Sequence, residues 1–243
     1  MTDTLHGKRA IITGAAQGLG YAIARAYADA GMQLALMDIA ADRLQTVASE
    51  FNAIAIPVDL ASADATQTAI DRALVELGTP DVLVHNAALL RPLPFGEITL
   101  DAWDTTVNIM IQAAYILTKA CWQPMTDAGG GSVIFVSSRS GIEGFVGETH
   151  YCAGKHALEG FMKSLAMEGE ARNIAANTIT PGMYMHTPMS EQNYPEELKA
   201  KWVDPIMLTP AFLQLAAQDA SGITGQRLDA WQMSETIRSE SGE

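Results

Sequence analysis

Apolar and polar residues fall along this chain in blocks. Lys8 to Thr13 ends in a short apolar run, a helical stretch follows near Leu19 to Ala30, and Gln33 to Met37 is apolar again. The rhythm repeats with a helix near Ala40 to Phe51, the run Ala53 to Pro57, a helix near Ala63 to Leu77 and the run Asp81 to His85. A long helix around Asp101 to Met125 precedes Ser132 to Val136, and another, about Thr149 to Ala171, precedes Ala175 to Ile179. Strands that are apolar at nearly every position are buried on both faces, and each here is separated from the next by one helix. The pattern predicts an α/β fold: a doubly wound parallel sheet with helices on both sides.

No Ser/Gly linker, repeat or low-complexity tract interrupts the 243 residues, so residues 1–243 read as one domain. Met189 to Asp204 breaks the rhythm and is rich in charge. It reads as a flap over a site, spanning about 183–209, or as a plain surface insertion. The polar tail beyond Met233 is expected to fray. No apolar run approaches the roughly 18 residues of a membrane helix, and the few apolar residues after Lys8 and Arg9 are too short for a signal peptide. Two cysteines, Cys121 and Cys152, cannot build a disulfide framework, which fits a reducing cytoplasm. Fifteen basic against 28 acidic residues leave a net charge of −13, which repels nucleic acid, anionic membranes and acidic protein partners alike. The five histidines show no ligand spacing, so no metal is expected.

Chemistry enters at the first strand-to-helix turn, Thr13 to Gly20. Gly14 suits the strand exit, Gly18 lets backbone approach a phosphate, and Gly20 permits close packing of helix on strand. The helix start at Leu19, with Gln17 before it, offers free N–H groups to a pyrophosphate. Asp38 ends the second strand about 20 residues on, where a carboxylate accepts both ribose hydroxyls and repels a 2′-phosphate. This favours NAD over NADP and a Rossmann-type sheet; the other reading of Asp38 is a turn residue or helix cap.

Tyr151 and Lys155 lie four positions apart in a helical segment and share a face, while Ser138 closes the fifth apolar strand at the ligand-binding edge of the sheet. With these residues the chain resembles a classical short-chain dehydrogenase/reductase over essentially its whole length. The resemblance covers the glycine turn, Asp59, Asn86-Ala87-Ala88, Asn108, Ser138, Tyr151-x-x-x-Lys155 and Pro181-Gly182. It departs at His85, where the family usually has Asn, at Ala88 in place of Gly, in a Pro-Gly loop one residue longer before Thr187, and at Ala230-Trp231-Gln232.

The resemblance implies Asp59 and Leu60 near the adenine, Ile39 beside Asp38, Asn86, Ala87, Pro181 and Gly182 along the cofactor, and Thr187 near the nicotinamide amide. It also implies that Asn108 holds a water chain to Lys155, and that the protein is a homotetramer built on its two long helices. Ala153, Ala157, Gly160 and Ser164 make a small-residue stripe suited to close helix approach, within the chain or between copies. A Tyr has an ordinary pKa near ~10, so a base at neutral pH needs the help of a cation such as Lys155. Tyr151 then takes the alcohol proton, with Ser138 holding the substrate oxygen. Arg91, Arg139, His150 and His186 flank these positions and are expected to bind a small polar or anionic alcohol, such as a sugar or sugar acid. The alternatives are a 3-oxoacyl-carrier-protein reductase, which the NAD preference and the net charge oppose, and a non-catalytic nucleotide-sensing or scaffold protein.

Overall fold

Successive residues of β1 (Arg9–Thr13) face opposite sides of the sheet, and both sides are dry: Ile11 belongs to one apolar core and Ile12 to the other. The computed structural model describes residues 4–241. It contains β2 (Gln33–Asp38), β3 (Ile54–Pro57), β4 (Val82–His85), β5 (Gly131–Val136), β6 (Ile174–Thr180) and β7 (Arg227–Asp229), joined in one parallel sheet of order β3-β2-β1-β4-β5-β6-β7. Leu34, Leu36, Val84 and Ile134 pack with Ile12 against α1 (Gly18–Asp29), α2 (Ala41–Phe51) and α8 (Thr209–Ala216). Ala35, Met37, Leu83, Val133 and Phe135 pack with Ile11 against α3 (Ala63–Glu76), α5 (Ala113–Asp127) and α6 (Thr149–Glu170). Strand order reverses between β1 and β4, which opens a crevice beyond their carboxyl ends.

Three elements differ from expectation. The helix expected over Asp101 to Met125 is α4 (Leu100–Val107) and α5 joined by a π-helical turn, Asn108–Gln112, in which the Ala113 N–H reaches the Asn108 carbonyl. An extra residue in a turn carries no Gly or Pro signature; tertiary partners hold it. β7 has only three residues and takes its place by pairing Thr178 with Arg227 and Thr180 with Asp229. As far as Ser241 the tail is helical: α9 (Ala230–Ser241) continues past Met233 because buried Ser234 accepts from Ala211 N (3.2 Å) and donates to the Leu208 carbonyl (3.1 Å).

Between β6 and α8 the chain forms α7 (Pro188–Asn193) and two 3₁₀ turns, Glu196–Lys201 and Pro205–Leu208. A Met185–Val203 bridge and the bond from Val203 N to the Tyr184 carbonyl (2.9 Å) close this excursion on itself.

Candidate functional site

The glycine turn runs from the end of β1 into α1. A Cβ on Gly20 would overlap the Gly14 carbonyl, so only glycine lets α1 sit this close to the strand. Gln17 precedes α1 without a side-chain cap, which leaves the helix's first N–H groups free for an anion. Leu19 is buried beneath them. The turn is locked to the loop after β4: the Thr13 hydroxyl accepts from Asn86 N and Ala87 N (both 3.0 Å), and Asn86 Nδ2 donates to the Thr13 and Gly14 carbonyls (both 3.1 Å).

Asp38 closes β2 with both oxygens anchored, Oδ2 accepting from Ala16 N (3.0 Å) and Oδ1 from Ala40 N (2.9 Å). Ile39 beside it is exposed. Asp59 follows β3, exposed, with Oδ1 on Ala61 N, and Leu60 is buried. On the far side Thr187 caps α7 through Ser190 N (3.1 Å) and touches the position a Gly18 side chain would take. Pro181 and Gly182 follow β6, and the Trp231 N–H bonds the Pro181 carbonyl. An uncapped helix start, a side-chain-free turn and a carboxylate at the end of β2 fit a dinucleotide. Sequence reasoning missed one cation here: Arg43 of α2 donates to the Gln17 side-chain carbonyl.

Ser138, Tyr151 and Lys155 meet where β5 ends and α6 begins. Lys155 is 2% exposed and Tyr151 7%. The ammonium donates to the Val136 carbonyl (2.7 Å) and lies 5.5 Å from the centre of the Tyr151 ring. Burial pulls the Lys155 pKa down to about 8, against the pull of the Glu159 carboxylate. Burial likewise raises the Tyr151 phenol, Tyr194 and Glu148 add to the rise, and the Ser138 hydroxyl opposes it. Asn108 opens the π turn, with Nδ2 donating to the Ala61 carbonyl (3.3 Å). In the same turn Met110 packs on Tyr151 and Leu90, with Ala88, Met189 and Tyr194 around them. A Cβ on Gly154 would overlap the Met110 thioether, so that glycine admits the π turn to α6.

The four flanking cationic candidates are not brought together. Arg139 is 64% exposed and pairs outward with Glu143 (2.7 Å). His186 is 61% exposed, pairs with Glu191 (2.7 Å) and stacks on Trp202. Arg91 is exposed, and His150 is buried with its Nδ1 unpartnered. Position next to a motif says nothing of side-chain direction, and the expected anion pocket does not form from these groups.

The sequence model of the short chain dehydrogenase family matches residues 8–198. The chain is a short-chain dehydrogenase. It is 34% identical to a D-threitol dehydrogenase of Mycolicibacterium smegmatis over 182 residues, 73% of this chain and 70% of that protein. Among solved structures it is similar to a blue fluorescent protein from a metagenomic library in complex with NADPH, at 32% identity and TM-score 0.85, covering 93% of this chain and 97% of that one. It is similar, too, to the 3-ketoacyl-(acyl-carrier-protein) reductase of Brucella melitensis complexed with NADH, at 25% identity and TM-score 0.87, covering 95% and 99%. As a member of this family it is an oxidoreductase of alcohol and carbonyl groups, with a fold that binds a nicotinamide cofactor. Among the described residues no helix is long and apolar enough to cross a membrane.

This dehydrogenase carries further polar residues at the site that sequence reasoning missed. Glu159, one turn beyond Lys155, is buried and accepts from the Ser137 hydroxyl (2.5 Å) and the Thr178 hydroxyl (2.7 Å). Arg227 of β7 pairs with Glu159 (3.3 Å) and donates to the Ser138 carbonyl (3.2 Å). His85 bridges β1 to the π turn, and Glu148 reaches Ser140. The one available signal was spacing: Glu148 precedes Tyr151 by three and Glu159 follows Lys155 by four, so each is within a turn of the pair on α6.

Proposed function

We propose that the chain is an NAD-dependent dehydrogenase of small polar secondary alcohols, with Tyr151, Lys155, Ser138 and Asn108 as its reacting and proton-handling residues. The observation that carries this reading is the buried Lys155 ammonium 5.5 Å from the Tyr151 ring, with Ser138 beside the phenol at the mouth of the glycine crevice. The nicotinamide, when bound, supplies the acceptor for hydride from the carbinol carbon. Tyr151 takes the hydroxyl proton as that carbon is oxidised and returns it in the reductive direction. Ser138 holds the substrate oxygen and steadies its developing charge. Lys155 favours the phenolate, and Asn108 orders water for proton exit. The glycine turn, Asn86, Ala87, Pro181, Gly182 and Thr187 would hold the cofactor, with Asp59, Leu60 and Ile39 about its adenine.

Asp38 supports NAD, because its anchored carboxylate would face a 2′-phosphate with like charge. Arg43 moderates that preference without reversing it. Residues 183–209, folded on themselves with Met189 and Tyr194 against Tyr151, fit a substrate flap. Ala157, Gly160 and Ser164 are exposed, and no side chain of the same chain covers Gly160, which supports a homotetramer joined along α6. Two unpaired, buried thiols suit a cytoplasmic protein.

NADH formation across a panel of polyols, hydroxy acids and simple alcohols, with reduction of a 3-oxoacyl thioester as the competing arm, tests the reading. Tyr151→Phe is expected to lose about 10²–10⁴ of turnover while NADH binding, followed by fluorescence, is retained; near-normal rates in that variant overturn it.

A further inference from the structure

We propose that Glu148 selects the substrate: its carboxylate receives the hydroxyl on the carbon next to the reacting one, so the enzyme takes neutral vicinal diols and polyols and turns away carboxylates. The proposal rests on the dehydrogenase reading above and names the substrate class of the same site.

Three observations carry it. The Ser138 hydroxyl lies 3.3 Å from the Ser140 hydroxyl, which donates to Glu148 Oε2 at 2.8 Å, so the carboxylate is tied through Ser140 to the residue that holds the reacting oxygen. Glu148 also stands at the start of α6, three residues before Tyr151, and its charge is felt at both Tyr151 and Tyr194. It is therefore set beside the wall that Tyr151, Met189 and Tyr194 form. Finally, it is half-buried and uncompensated: among the described residues it makes no ion pair, and Oε1 accepts no hydrogen bond. Of the basic groups around it, His150 is buried, which lowers its pKa and disfavours its charged form, and Arg139 is committed to Glu143.

A carboxylate oxygen with an open lone pair, partly withdrawn from water, wants a donor. The reacting oxygen cannot be that donor, because it is held by Ser138 and Tyr151. A hydroxyl one carbon away can, and a substrate without it leaves the carboxylate desolvated and unpaired. A substrate carboxylate at the same point meets like charge in a partly dry site. Selection thus combines attraction for one class with repulsion of another.

The test compares cyclohexane-1,2-diol, cyclohexanol and 2-hydroxycyclohexanecarboxylate as substrates of the wild type, Glu148→Gln and Glu148→Leu. The wild type is expected to favour the diol over the mono-alcohol by about 10- to 100-fold in kcat/KM. Glu148→Leu brings that ratio close to one, mainly through KM. Glu148→Gln keeps an acceptor and so much of the diol preference, but removes the charge and raises kcat/KM for the hydroxy acid at least about tenfold. Titration of NADH into each variant verifies the fold. A wild type that turns over the diol and the mono-alcohol equally, or a Glu148→Leu variant with the wild-type ratio, overturns the Glu148 assignment and leaves the dehydrogenase reading standing. A wild type that oxidises none of the three or any other alcohol overturns both.

Discussion

The Nδ1 of His85 lies 3.1 Å from the Thr13 hydroxyl, and its Nε2 lies 3.1 Å from the Met110 carbonyl. A carbonyl can only accept, so Nε2 carries the proton and Nδ1 receives the Thr13 hydrogen. The Thr13 oxygen is then left to accept from Asn86 and Ala87, and every donor in the junction is satisfied. One neutral imidazole thus couples the glycine turn to the π turn that begins at Asn108.

That imidazole must stay neutral. Burial, helped by the Lys155 charge, pulls the His85 pKa down to about 4. With an ordinary value near ~6.5 in the unfolded chain, the unfolded state binds the extra proton first. Stability is therefore complete above pH ~6.5 and falls by about 3 kcal/mol as pH drops toward 4. His85→Asn, too short to bridge both partners, should cost about 1–3 kcal/mol at pH 7 and flatten this fall. Urea denaturation of both proteins at pH 7 and pH 5 measures it; parallel losses on acidification would exclude His85 as the cause.

Lys155 carries the opposite tension between stability and function. Its pKa is lowered to about 8 in the folded chain, so at pH 7 its charge is held at a cost of about 3 kcal/mol, relieved only as pH rises from 8 toward 10.5. Lys155→Met removes that cost and gives back about 1 kcal/mol at the unpaired Val136 carbonyl. The variant should melt several degrees higher, at about 2–4 °C per kcal/mol, and lose turnover by at least about 10². Calorimetry beside a rate assay decides; a lower Tm would mean that the ammonium stabilises the fold.

Gly154 and Met110 form a second coupled pair. Gly154→Ala forces the Met110 side chain and the π turn away from α6, at about 1–3 kcal/mol. Because the obstacle is the end of a flexible side chain, Met110→Ala in the same chain should recover part of the loss. A double-mutant cycle by thermal melting reads the coupling, and strict additivity would show that the two do not meet.

At the other end of the crevice, Asp38→Ala should narrow the ratio of kcat/KM for NAD over NADP by at least about tenfold, and adding Arg43→Ala should reduce use of NADP specifically. An unchanged ratio in Asp38→Ala would mean that the carboxylate serves only the Ala16 and Ala40 amides.

β1 to β6 were legible because a strand covered on both faces leaves an apolar run in the sequence, and helices between such runs enforce parallel order. β7 was not: Arg227-Leu228-Asp229 is no apolar run, and β6 alone supplies its register. Nor was the π turn, whose causes, His85 and Gly154, lie elsewhere in the chain. In the site, Ser138, Tyr151 and Lys155 could be placed together because strand ends and helix periodicity dictate where side chains emerge. Arg139 and His186 could not, since Glu143 and Glu191 decide which way they turn. For Glu148 and Glu159 spacing was the one signal, and a weak one, because a carboxylate on a helix usually faces water and only packing shows that Glu159 is buried and Glu148 half-buried.

The bond from Arg227 to the Ser138 carbonyl joins residues 89 positions apart in the chain. During synthesis the segment around Ser138 leaves the ribosome long before Arg227 is made. The backbone under Ser138 therefore gains its guanidinium brace only when the seventh strand docks, so an edge strand made late in synthesis bears on the residue proposed to hold the substrate oxygen.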